Sequence, residues 1–131
     1  MKGAPNSFST LYMRDYKKLD VWEKAHQTYL FIKKNVTPNF PKEERFELTA
    51  QLNRAALSIP LNIVEGCGRF SDKDFAHFLD TALRSTNETD YCCYAALELN
   101  YISAESYESI SARINEVRAM LISFLKFPRK D

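Results

Sequence analysis

Residues 58–71 read SIPLNIVEGCGRFS, from Ser58 through Pro60, Asn62, Glu65, Gly66, Gly68 and Arg69 to Ser71. A Gly-x-Gly beside an acid and an arginine raises the idea of a phosphate loop, and whether it is one decides the fold. Upstream, Leu48, Leu52, Ala55, Ile59 and Ile63 recur every three or four residues, the period of a helix face rather than a strand. The dinucleotide fingerprint needs a strand before it and a glycine at its sixth position, where this chain has Ser71. The stretch therefore reads as a helix–helix corner. Gly66 and Gly68 are expected to supply the left-handed geometry that ends one helix. Ser71 caps the next, with Asp74 at the capping-box position. Pro60 lies inside the first of these helices, where it removes the hydrogen bond to Ala56. It predicts either a kink or a true break that would give five helices. Ser58, Asn62 and Glu65 share one side of that turn and could satisfy the freed carbonyl or tie down a neighbouring chain.

The same period extends both ways along the chain. Asp20-Val-Trp-Glu23 resembles a capping box, and Trp22, Ala25, Tyr29, Ile32 and Val36 form a stripe that Pro38 and Pro41 close. Pro41 then suits the first position of the second helix, with Glu43 and Glu44 in its first turn. A third helix carries Phe75, Phe78, Leu79, Ala82, Cys93, Ala96 and Leu97 on one face and stops near Tyr101-Ile102. Ser103 opens a fourth with Tyr107, Ile110, Ile114, Val117, Leu121 and Phe124, closed by Phe127-Pro128. The expectation is an all-α, up-down-up-down four-helix bundle with helices near 20–36, 41–66, 71–101 and 104–127, preceded by a flexible arm over 1–16. Period-two alternation and hairpin turns are missing from the sequence.

The chain has 131 residues, 45% of them hydrophobic, so one domain with a packed core is expected. A formal net charge of +1 gives no global attraction to nucleic acid. Lys and Arg exceed Asp and Glu over residues 1–34, however, and the reverse holds over 72–101. That asymmetry favours self-contact or a local basic patch. The odd set Cys67, Cys92 and Cys93 has no metal spacing and reads as reduced thiols. No apolar run reaches the ~18–20 residues of a membrane span, and no apolar export core follows the N-terminus. A soluble cytoplasmic protein is expected.

Catalytic and metal chemistry find little support. Glu23-Lys-Ala-His26 and Asp74-Phe-Ala-His77 resemble half of a carboxylate-bridged di-metal bundle. On a helical wheel, though, His77 falls nearly opposite the Phe75/Ala82/Cys93 face, and Glu23 falls off the first stripe. A small metal-binding bundle is thus the weaker alternative. No base is tied by motif to Cys67, and Cys92-Cys93 read as core filling. No catalytic residue, cofactor or small-molecule substrate is indicated. At the start of the third helix, Arg69 and Lys73 flank free N–H groups, yet Asp72 and Asp74 already complement that terminus.

The more informative oddity is a second apolar stripe on the second helix: Phe46, Leu57, Leu61 and Val64, roughly 130° from the core stripe on a 100°-per-residue wheel. Either a broad core absorbs both stripes or the second marks an interface. Self-association is the preferred reading, with Tyr91 and Tyr94 as further contacts. A protein-partner adaptor without nucleic-acid binding is the alternative.

Several strings in fixed order sharpen this: Leu19-Asp-Val-Trp-Glu-Lys-Ala25, Phe40-Pro41 with Glu43-Glu44, Gln51-Leu-Asn-Arg-Ala55, Ser58-Ile-Pro-Leu-Asn-Ile-Val-Glu-Gly66, Gly68-Arg69 and Phe75…Phe78-Leu79. Together they resemble the four-helix-bundle proteins encoded in intervening sequences of bacterial 23S rRNA genes, from about Tyr16 to about Ile102, the last helix matching in character. The resemblance implies a homopentameric ring without established enzymatic activity. It also implies kinship to the accessory variability proteins of diversity-generating retroelements, whose basic pentamer binds reverse transcriptase and nucleic acid. RNA or a ribonucleoprotein is the partner this suggests, through Lys17, Lys18, Arg54, Arg69 and Lys73. Asn53 departs from the family's Arg-Arg pair and leaves Arg54 alone, and Arg84 stands where relatives often carry a small residue.

Overall fold

The computed structural model describes residues 14–126, and among them every regular element is helical. α1 spans Asp20–Phe31 and continues through a π-type turn over Ile32–Val36; α2 spans Leu48–Cys67, α3 Asp72–Glu98 and α4 Ala104–Lys126. Short 3-10 turns lie at Tyr16–Lys18, Thr37–Asn39 and Lys42–Glu44. α1 packs on α2, α2 on α3, α3 on α4 and α4 back on α1, which sets the four helices at the corners of a square. This is the expected four-helix bundle.

The core has two apolar halves. Ile32, Val36, Leu52, Ala56, Cys93, Ile110 and Ile114 fill one, where α1 and α3 end and α2 and α4 begin. Val21, Ala25, Ile59, Ile63, Phe75, Leu79, Val117 and Leu121 fill the other. Of the buried polar side chains, Thr37 lies in the turn after α1, and the others sit along the helices: Thr28 on α1 with Ser85, Thr86 and Thr89 on α3. Each threonine there donates its hydroxyl to the carbonyl four residues earlier on its own helix, at 2.8 Å. The donors are thereby satisfied without a partner helix, which is why burying them is tolerable.

Several boundaries differ from expectation for identifiable reasons. α2 begins at Leu48 rather than Pro41, which starts only the Lys42–Glu44 turn. The Glu44 carboxylate accepts the Leu48 N–H at 3.2 Å and, through its other oxygen, the Tyr101 hydroxyl at 2.7 Å. The cap of α2 is thus tied to the distant end of α3. α2 runs unbroken through the buried Pro60, which excludes five helices. Asn62 donates to the Ser58 carbonyl at 2.8 Å, not to the Ala56 carbonyl that Pro60 leaves without its N–H.

The glycines also act differently from their reading as a left-handed stop. Gly66 is buried within α2, and Gly68 follows it with φ −86°. A Cβ at Gly66 would stand 3.0 Å from both the Phe75 ring and the Phe78 Cβ, so this glycine lets α2 and α3 approach closely. The left-handed position is Asn100, φ 63°, beyond the end of α3, where the Tyr101 N–H reaches back to the Ala96 carbonyl at 2.9 Å. Ser71 accepts the Asp74 N–H at 3.0 Å and Ser103 the Ser106 N–H at 3.0 Å, so both serine caps form as the sequence indicates.

Residues 1–13 of the expected arm, and Phe127-Pro128, lie outside the described residues. Arg14, Asp15 and Tyr16, the arm's last three, pack on the bundle. Arg14 donates its N–H to the Cys67 carbonyl at 3.1 Å, lies 4.1 Å over the Phe75 ring and pairs with Asp72.

Candidate functional site

The outward side of α2 follows from its residue order. Leu52, Ile59 and Ile63 point into the core at 0–1% exposure, while Leu57 and Leu61 are 43% and 50% exposed. The core therefore does not absorb the second stripe. Phe46, in the turn before α2, is 80% exposed, with Arg45 4.8 Å over its ring. Val64 is half-buried and lines a cleft with Arg14, Asp15, Tyr16, Cys67 and Gly68. Tyr91 and Tyr94 are exposed on α3 rather than on α2. Tyr94 meets Tyr107 of α4 edge-on at 6.1 Å, whereas Tyr91 lies on the outer side of α3.

The family-like motif holds the α2–α3 seam. The Ser58 and Ser85 hydroxyls share a hydrogen bond at 2.8 Å, and Asn62 donates to the Ser58 hydroxyl at 2.9 Å. Two turns earlier, Gln51 bridges to Glu88. Glu65 is exposed, and Arg69 lies 4.6 Å over the Phe78 ring. Ser58, Asn62 and Gly66 therefore shape the packing of two helices, while Pro60 is buried within α2 and Glu65 and Gly68 are exposed.

Of the basic residues, Lys17, Lys18, Arg69 and Lys73 gather at one end of the bundle, around the start of α1 and the α2–α3 corner. Arg54 does not join them. It lies about 20 Å further along α2 by the helical rise and donates to Gln51 at 3.0 Å. Two other cations, overlooked for lack of motif, bind the helices together: Arg118 of α4 contacts Asp90 and Asn87 of α3, and Lys24 of α1 reaches Glu116 of α4 at 3.3 Å.

The cysteines are buried and free. Burial pushes Cys67 and Cys92 upward and Cys93 up to about 12, so none is poised as a thiolate at neutral pH. His26 stacks on Trp22 at 4.7 Å, and Glu23 accepts from Gln27 at 2.9 Å. His77 is exposed beside Phe78. Among the described residues no group of three His, Cys, Asp or Glu side chains could hold a metal ion. No helix among them is long and apolar enough to cross a membrane.

The model of the family described as 23S rRNA-intervening sequence protein matches residues 17–123, extending the likeness through most of α4. Among solved structures, a protein of unknown function from the S23 ribosomal protein family of Bacteroides thetaiotaomicron is 32% identical. It superposes with a TM-score of 0.75 over 82% of this chain and 99% of its own. No curated protein matches.

Proposed function

The chain belongs to the 23S rRNA-intervening sequence protein family, and on that premise we propose a non-enzymatic bundle that assembles with copies of itself into a homopentameric ring. The observation that carries this is the outward face of α2, where Leu57 and Leu61 stand half-exposed on a regular helix. Burying such a side chain contributes ~1.5–3 kcal/mol, while association costs ~4–15 kcal/mol. Two leucines alone do not suffice, so Phe46 and Val64 must join them. The number five comes from the family likeness.

Light scattering on the purified chain tests the reading. Assembly at micromolar concentration is expected, and a monomer there overturns it.

RNA or a ribonucleoprotein is the partner of such a ring in this reading, and the kinship to retroelement accessory proteins belongs with it. Lys17, Lys18, Arg69 and Lys73 at one end of each subunit would be repeated around the ring. Affinity would then come from multiplicity and fall steeply with salt. Structured RNA should be retarded in a gel at about 50 mM salt and released as salt rises. No retardation at low salt removes RNA from the reading and leaves the assembly intact.

A further inference from the structure

α2 is not the only helix with an apolar outer side. On α4, Asn115, Ala119, Ile122 and Ser123 are all exposed. Ala119, Ile122, Ser123 and Lys126 line a shallow, largely apolar hollow of about 430 Å³. The small Ala119 side chain makes this surface concave, where Leu57 and Leu61 make α2 a ridge.

The two surfaces are matched in direction and height. α2 and α4 stand at diagonal corners of the bundle. Both begin in the core half that holds Leu52 and Ile110 and end in the half that holds Ile63 and Leu121, so they run parallel. This sharing of core halves puts Leu61 and Val64, beside Ile63, in the same half of the bundle as Ala119 and Ile122, beside Leu121. Subunits related by a rotation axis along the bundle keep both the direction and the level.

Charge follows the same order. On α2, exposed Arg54 precedes the leucines and exposed Glu65 follows them. On α4, exposed Glu108 precedes the hollow and exposed Lys126 lines its far end. Parallel apposition sets Arg54 towards Glu108 and Glu65 towards Lys126. An antiparallel one would bring Arg54 to Lys126 and Glu65 to Glu108, so the charges select the parallel contact.

We propose that the α2 ridge of one copy seats in the α4 hollow of the next, with Leu61 entering at Ala119. The inference rests on the self-assembly reading and adds the mating surfaces. Because the two patches differ, each copy offers one ridge and one hollow, the head-to-tail contact from which rings are built.

Two substitutions at exposed positions test the pairing, Leu61→Glu and Ala119→Glu, with circular dichroism and melting confirming that each variant folds. Each is expected to be monomeric by light scattering. An equimolar mixture should give particles of twice the monomer mass and nothing larger, since the intact hollow of one variant accepts the intact ridge of the other while both remaining patches are broken. Ala119→Glu assembling like the parent overturns the pairing and leaves self-assembly standing, as does a mixture that stays monomeric. A monomeric parent removes both and assigns the two faces to a different protein. As a second measurement, Glu65→Lys should weaken the assembly at low salt, and Lys126→Glu in the same chain should restore it; failure of that rescue overturns the parallel register.

Discussion

Ile59 and Leu57 lie two residues apart on α2, have similar size and meet opposite environments: the first is 1% exposed, the second 43%. Ile59 shares its core cluster with Val21, Leu79 and Val117, whereas the described residues leave Leu57 partly uncovered. A helix that is apolar on one stripe needs one neighbouring layer, and a helix apolar nearly all round needs a second. The fold of the single chain accounts for the inner stripe only. α2 thus carries two messages in one sequence, one answered by α1, α3 and α4 and one that the proposed ring would answer.

The contrast is broken most severely from the inside. Ile59→Ala removes a fully enclosed side chain in a layer shared by all four helices and should cost about 2–5 kcal/mol of stability. Chemical denaturation read by circular dichroism measures it, and a loss well under 1 kcal/mol would mean that this layer is not the closed core described.

Gly66→Ala probes the edge between the two faces and should have a smaller effect. A methyl group there meets the Phe75 ring, the Phe78 Cβ and, at 3.3 Å, the Phe75 carbonyl. The ring cannot simply swing away, because Arg14 stacks on it and Phe124 abuts its edge. Overpacking costs about 1–3 kcal/mol and alanine's better helix propensity returns about 1, leaving a net loss on the order of 1 kcal/mol. A more stable variant would show that α3 can back away at no cost.

Much of this was legible in the sequence, and the exceptions share a cause. The 3.6-residue period identified all four helices and the core positions Leu52, Ile59, Ile63, Leu79, Ile110 and Leu121. Ser71 and Ser103 announced their caps because capping is a local interaction. What depended on distant partners was not legible. Glu44 caps α2 while held by Tyr101, 57 positions away, and no pattern near Pro41 reveals it. Gly66 looked like a stop because its neighbour Phe75 belongs to another helix. Thr28, Thr86 and Thr89 stood in no apolar stripe, yet each bonds its hydroxyl within its own helix and occupies the core. Phe124 continued the inner period of α4 but is 39% exposed near the end of that helix. The outer stripe of α2 was legible as a pattern for the same reason as the inner one, since periodicity reports apolar faces whatever covers them.

The smallest expected effect on stability is at Leu57, and it separates the two messages most cleanly. Leu57→Ala deletes as much side chain as many core truncations, but the side chain is already half in water and leaves no cavity. The folding stability of the monomer should stay within about 0.5 kcal/mol of the parent. The proposed assembly should weaken, because in it the same atoms meet another copy. Measuring both on one sample, denaturation at high dilution and light scattering at micromolar concentration, places the cost on one side or the other. A loss comparable to that of Ile59→Ala would mean that Leu57 belongs to the fold of the single chain. Unchanged stability with unchanged assembly would mean that its exposure has no consequence for either, and the contact would then be carried by Leu61 with Phe46 and Val64.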